Sequence, residues 1–92
     1  MDEEYEIRYL QSPFLMEHHK GLKGYRQYIF DTTSDYLLSV VNEYGLHGYR
    51  NDLYEIAKVS CGEVLSEPIR GLTVDKILKI VNKENEYGRV KK

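Results

Sequence analysis

Residues 31–44 read DTTSDYLLSVVNEY, and the fold class depends on how this stretch is interpreted. Its first five residues are rich in side chains that cap helix N-termini, and Thr32 with Asp35 resembles a capping box. Gly45 is a typical residue just after the end of a helix. The stretch therefore predicts a helix over residues 34–44. Its buried face would consist of the apolar residues at helical spacing, namely Tyr36, Leu37, Val40, Val41 and Tyr44.

A second helix is expected over residues 52–66. Asn51 is a good N-cap residue, and Pro68 ends the helical pattern. The apolar stripe of this helix includes Cys61, so we expect that thiol to lie in the core, where a cysteine behaves as a small apolar side chain. The opposite face would be acidic and would present Asp52, Glu55 and Glu63.

Helical spacing predicts a third helix over residues 74–84, followed by a frayed tail over residues 85–92. Nearer the N-terminus, alternation predicts a strand over about residues 5–10, and aromatic and β-branched residues predict another over residues 25–30. Residues 12–24 would form a long connection between them. The predicted fold class is α+β, with a small N-terminal antiparallel strand pair followed by three amphipathic helices in a single domain.

The composition excludes several classes of protein. The 92 residues include 13 Lys+Arg and 15 Asp+Glu, for a net charge of -2, which is ordinary for a folded domain. No apolar run approaches the roughly 20 residues that span a membrane. The acidic start MDEE does not resemble a signal peptide. A single cysteine excludes an internal disulfide framework, so we expect a cytoplasmic location.

No catalytic constellation is recognisable in the sequence. It lacks a nucleophile elbow, a phosphate-binding loop and a dinucleotide fingerprint. Glu17, His18 and His19 form the most conspicuous polar cluster, but adjacent histidines point to opposite sides of a strand and do not have the ligand spacing of a zinc site. We therefore expect a solvated loop there, and a non-enzymatic protein with no catalytic residue, metal or cofactor.

Residues 44–51, YGLHGYRN, are the most informative segment for function. A connection between two helices is exposed, yet this one combines a leucine with tyrosine and arginine, which are enriched at binding hot spots. Whether Tyr49 completes the core or contacts a partner stays open at this stage. We predict a small protein-binding module, of an inhibitor or immunity type such as toxin-immunity or phage-encoded anti-defence proteins. Its partner would present a basic surface, as nucleases do, to His47, Tyr49, Arg50, Asp52, Glu55 and Glu63.

The alternative is a nucleic-acid-binding regulator. Basic residues collect in residues 20–26 and 76–92, and those of the first group alternate with tyrosines that could stack on bases. The negative net charge is a point against this alternative. The residues involved would be Lys20, Lys23, Tyr25, Arg26, Lys76, Lys79 and Lys83. The exposed edges of the predicted strand pair would also allow a homodimer.

Overall fold

The computed structural model describes residues 5–46 and 48–86, about half of which belong to one antiparallel sheet. In chain order the elements are a short helix α1 (Ile7–Leu10), strand β1 (Leu15–Lys20), a 3-10 turn (Leu22–Gly24), strands β2 (Arg26–Phe30), β3 (Leu37–Gly45), β4 (Gly48–Ser60), β5 (Glu63–Val64) and β6 (Ile69–Leu72), and helix α2 (Val74–Glu84).

The sheet has the strand order β1-β2-β3-β4, and β5 and β6 both pair with the far edge of β4. Every pairing is antiparallel. The predicted fold class, a strand pair followed by three helices, is therefore wrong. Among the described residues, no helix has the length and apolar character that crossing a membrane would require.

The helix predicted over residues 34–44 is strand β3. Burial alternates along it, with Leu38, Val40 and Asn42 buried and the residues between them half-buried. The same apolar residues satisfy helical spacing and alternation, so pairing with β2 and β4 decides between the two. The capping residues form a turn before the strand instead, in which the Thr32 hydroxyl donates to the Tyr36 carbonyl at 2.7 Å.

The helix predicted over residues 52–66 is also sheet, because it falls on β4, a tight turn and β5. Tyr54 and Ile56 are buried on one face of β4, and Glu55 between them points to the other face. Cys61 and Gly62 form the turn, with positive φ values of 51° and 81°. Cys61 is exposed, so the prediction that this thiol lies in the core is wrong.

The N-terminal segment also differs from the prediction. The strand expected over residues 5–10 is the single helical turn α1, which places Tyr9 in the core. The expected connection over residues 12–24 contains β1 and the 3-10 turn. The strand predicted over residues 25–30 coincides with β2.

The C-terminal prediction is correct for the helix and wrong for the residue after it. Helix α2 coincides with the prediction over residues 74–84. Asn85 is not frayed, because it is buried and its amide donates to the carbonyls of Val81 and Asp31 at 2.8 and 3.0 Å. The rest of the predicted tail, residues 87–92 after Glu86, lies outside the described residues.

Helices α1 and α2 cover one face of the sheet, and the core lies between these two layers. The ring of Tyr9 makes edge-to-face contacts with Tyr28, Tyr54 and Phe30, at centroid distances of 4.6, 5.1 and 5.6 Å. Several of the nine tyrosines are thus core residues rather than surface residues. The buried set is Tyr9, Tyr28, Phe30, Leu38, Val40, Tyr54, Ile56, Ile77 and Val81.

Candidate functional site

The end of the sheet at the β3–β4 hairpin carries two leucines that are almost fully exposed, Leu46 at 89% and Leu22 at 86%. The 3-10 turn brings Leu22 to this end, because the turn packs against the start of β4. A side chain at Gly48 would meet the Lys23 carbonyl oxygen at 3.0 Å, so glycine is needed for this close approach. We call the apolar and aromatic group at this end the tip cluster; its exposed members are Leu22, Tyr44 and Leu46, and its half-buried members are Tyr25 and Tyr49.

Three tyrosines of the tip cluster contact one another in series. The ring of Tyr49 lies edge-to-face against Tyr25 on one side and Tyr44 on the other, with centroids 5.2 and 5.0 Å apart. Burial and the nearby Tyr49 raise the pKa of the Tyr25 hydroxyl. Tyr44 remains 60% exposed. Tyr49 therefore belongs neither to the core nor to free solvent, because it is the central ring of an aromatic series on the surface.

A buried asparagine fixes the 3-10 turn against the sheet. The Asn42 side chain is 1% exposed, and its Oδ1 accepts a hydrogen bond from the Arg26 N–H at 2.9 Å. Its Nδ2 donates to the Gly24 carbonyl at 2.8 Å. These two bonds hold the start of β2, and with it Tyr25, beside the hairpin. Sequence reasoning missed this residue, although a lone asparagine among apolar strand residues is a signal of a buried polar anchor.

A large bulge in β4 follows Tyr49 of the tip cluster along the strand. Asn42 pairs with Tyr54 and Tyr44 pairs with Tyr49, so residues 50–53 of β4 face Glu43 alone. Within the bulge, Arg50 donates two hydrogen bonds to the Asp52 carboxylate at 2.8 and 2.9 Å. This pair lowers the pKa of Asp52. Bulges often redirect side chains next to functional sites, which is consistent with the position of this one.

The structure separates the acidic residues that the sequence placed together. Asp52 lies in the bulge, and Glu55 lies on the uncovered sheet face, where Arg70 Nε is 3.2 Å from its Oε1. Glu63 is in β5, which pairs with the last residues of β4. The prediction that these three acids share the outward face of a helix is wrong, because β4 and β5 replace that helix. Among the other predicted partner-binding residues, Tyr49 and Arg50 are at the tip, and His47 lies outside the described residues.

The residues predicted to contact nucleic acid fall into two groups. Lys23 lies in the 3-10 turn, Lys20 precedes it and Tyr25 and Arg26 follow it, so this group adjoins the tip cluster and shares Tyr25 with it. The Arg26 guanidinium donates to the Tyr25 carbonyl at 2.7 Å and lies 5.7 Å from the ring centre of Tyr5. The second group lies on the exposed side of α2, in the layer that covers the core, and comprises Lys76, Lys79 and Lys83.

A depression with a mostly apolar lining lies between the sheet and α2. It has a volume of about 240 Å³, and its lining includes Leu38, Ile56 and Ile80. Two charged residues that also line it, Lys58 and Glu84, both contact Tyr36, the first over the ring at 4.9 Å and the second as acceptor from the hydroxyl at 2.7 Å. Over residues 5–46 and 48–86, no three His, Cys, Asp or Glu side chains are grouped so that they could hold a metal ion.

Comparisons with protein-family models, curated proteins and solved structures find no match to this chain.

Proposed function

We propose that this chain is a small non-enzymatic protein-binding module, of the inhibitor or immunity type, and that it binds its partner through the tip cluster. The observation that supports this is the pair of nearly fully exposed leucines, Leu22 and Leu46, beside a series of tyrosines. Single exposed apolar residues are common on protein surfaces, but a group of them is typical of an interaction site. A partner surface that covers the two leucines would remove apolar area from water, and this burial would stabilise the complex.

The local structure supports this role because the tip cluster is held in place before binding. The Asn42 hydrogen bonds hold the 3-10 turn and the start of β2, and the ring contacts hold the three tyrosines against one another. A restricted binding surface loses less conformational entropy when its partner binds. The molecule is elongated, 45 Å by 27 Å by 21 Å.

A basic partner surface remains a prediction. Asp52 is paired with Arg50, and Glu55 is close to Arg70, so two of the acids expected to attract such a partner already interact within the chain. The proposal therefore depends on the apolar and aromatic residues of the tip cluster and not on the acidic ones.

Substitutions at the tip test the proposal. Leu46→Ser and Tyr44→Ala change exposed side chains and should leave the fold intact, and Val64→Ser is a matched control because Val64 is an exposed apolar residue of β5. The parent chain is used to isolate a partner from nuclease-treated extracts of its native host, and dissociation constants are then measured with the purified partner. We expect each tip substitution to weaken binding by about 10-fold or more, which corresponds to 1.4 kcal/mol, and Val64→Ser to have no effect. Parent-like affinity of both tip variants would disprove the role of the tip.

Nucleic-acid binding is the second candidate, because Lys23 and Tyr25 lie beside Tyr49 and Arg50 at the tip. Fluorescence anisotropy with a single-stranded oligonucleotide would distinguish the two candidates. Sub-micromolar binding that falls steeply between about 50 and 200 mM salt, and that Lys23→Glu weakens more than Lys76→Glu does, would favour nucleic acid. Weak binding that is equal for the parent, Lys23→Glu and Lys76→Glu would favour the protein-binding module.

A further inference from the structure

Strand β1 forms one edge of the sheet, and within the described part of the chain it pairs only with β2. Its residues after Leu15 are all exposed. The Gly21 N–H donates to the Tyr25 carbonyl at 2.9 Å, in the same register in which His19 faces Gln27. Main-chain groups alternate in direction along an antiparallel strand, so those of Gly21 and His19 point towards β2, and those of His18 point away from the sheet.

The side chains of β1 also alternate. Glu17 and His19 lie on the uncovered face of the sheet, where His19 Nε2 is 3.0 Å from Glu17 Oε1. His18 lies on the other face, with its ring 4.5 Å from the ring of Tyr5. The edge therefore presents an acid and an imidazole on one face, one residue to each side of His18.

We propose that β1 pairs with β1 of a second copy of this chain, in an antiparallel arrangement that is symmetric about His18. The two-fold axis places His18 opposite the partner's His18, and the outward N–H and C=O groups of both residues exchange two hydrogen bonds. Glu17 then lies opposite the partner's His19, and His19 lies opposite the partner's Glu17. These are the non-hydrogen-bonded positions, at which opposing Cα atoms are only about 4.5 Å apart and side chains interact most closely.

The order of charges makes this edge complementary to itself. Charged residues usually protect an edge strand, because pairing with a copy brings like charges together. Here the acid and the imidazole stand on opposite sides of the symmetry centre, so each meets its complement. A carboxylate accepts a hydrogen bond from either the neutral or the protonated imidazole. Since the β-bulge between Leu15 and Glu17 limits the regular ladder to a few residues, we expect a weak dimer, with a dissociation constant on the order of 100 µM.

Charge substitutions with a mixing experiment test this register. Sedimentation velocity is measured from about 10 µM to 1 mM protein, in EDTA so that no metal ion links the histidines. Glu17→Lys alone puts two bases opposite each other in a symmetric dimer, and His19→Glu alone puts two acids opposite each other. We expect each variant by itself to dimerise at least about 10-fold more weakly than the parent. An equimolar mixture of the two variants should recover the dimer, because each acid then faces a base. Glu63→Lys, with the same charge change in β5, should dimerise like the parent.

Three results would overturn the proposal. The first is a parent protein that stays monomeric over the whole concentration range. The second is a dimer that survives both single substitutions, or that their mixture does not restore. The third is a dimer that Leu46→Ser abolishes, which would locate self-association at the tip cluster. Circular dichroism of each variant would verify that these exposed substitutions leave the sheet intact.

Discussion

The hydroxyl of Tyr9 is fully buried and has no hydrogen-bond partner among the described residues, so Tyr9→Phe is expected to stabilise the protein. Phenylalanine keeps the ring and its edge-to-face contacts with Tyr28, Tyr54 and Phe30, whose centroids lie 4.6, 5.1 and 5.6 Å away. The substitution removes only the oxygen atom. Burying a hydroxyl without a partner costs about 1–3 kcal/mol, and we expect the variant to recover about 1 kcal/mol of unfolding free energy.

Tyr28→Phe is the matched control. Tyr28 is equally buried and belongs to the same aromatic cluster, but its hydroxyl accepts a hydrogen bond from the Glu6 N–H at 2.8 Å. Removing that oxygen leaves the N–H of Glu6 without its acceptor. We therefore expect Tyr28→Phe to lower the unfolding free energy by about 1 kcal/mol, opposite in sign to the Tyr9 substitution.

Urea unfolding measures both effects. For a domain of this size the slope is about 1 kcal/mol per molar urea, so the midpoint should rise by about 1 M for Tyr9→Phe and fall by about as much for Tyr28→Phe. The slopes should stay equal to that of the parent, which would show that the compactness of the two end states is unchanged. A midpoint that falls by about 1 M for Tyr9→Phe would refute the reasoning, since it would mean that the hydroxyl makes a hydrogen bond that stabilises the fold.

Two further predictions concern the same elements. Burial raises the pKa values of Tyr9, Tyr28 and Tyr54 above the ordinary tyrosine value of 10.0. The neutral form of these three side chains therefore contributes stability that is fully present below pH 10. This stability is lost as the pH rises from 10 through the folded-state pKa values. Urea unfolding between about pH 9 and 11.5 should show a fall of up to 1.4 kcal/mol per pH unit for each tyrosine, and an equally steep fall in Tyr9→Phe would contradict this origin. Cys61 is exposed at a positive φ of 51° in the turn before Gly62. Cys61→Asn should therefore raise the unfolding free energy by about 0.5 kcal/mol. A thiol reagent should label Cys61 in the native protein as fast as it does in the unfolded protein. Slow labelling of the native protein would show that the thiol is buried.

The fold could be predicted from the sequence where local signals agree with one another. Over residues 74–84, the N-cap Thr73, the helical spacing and the absence of a competing alternation all indicate a helix, and α2 forms there. Over residues 36–44, apolar residues satisfy both periodicities, and the β-branched Val40 and Val41 favour a strand only weakly. The capping residues at 31–35 suit a turn before a strand as well as a helix start, so local reasoning had no means to choose between the two.

The candidate site could be predicted in part. The segment 44–51 stands out in the sequence because a turn has no need of its leucine, tyrosine and arginine, and the tip cluster includes its tyrosines and Leu46. Leu22 and Tyr25 could not be associated with it, since some 20 residues separate them from the hairpin. Long-range contacts bring them together, namely the Asn42 hydrogen bonds, the β2–β3 pairing and the packing of Tyr25 against Tyr49. The predicted acidic face was wrong because it depended on a helix over residues 52–66, where β4 and β5 form instead.

By itself, the sequence determined the amphipathic helix α2, the aromatic strand β2 and the unusual composition of the hairpin loop. These depend on contacts between residues that are close in the chain or on the chemistry of a few side chains. The tertiary structure decided that β3 and β4 are strands, that Tyr9 lies in a helical turn with its ring in the core, and that Cys61 lies in an exposed turn. The physical reason is that a helix forms its hydrogen bonds within itself, whereas each strand forms them with neighbouring strands and is stabilised by packing against them. Leu38 pairs with Lys58 of β4, which lies 20 residues further along the chain. A local sequence pattern cannot indicate a pairing over that distance.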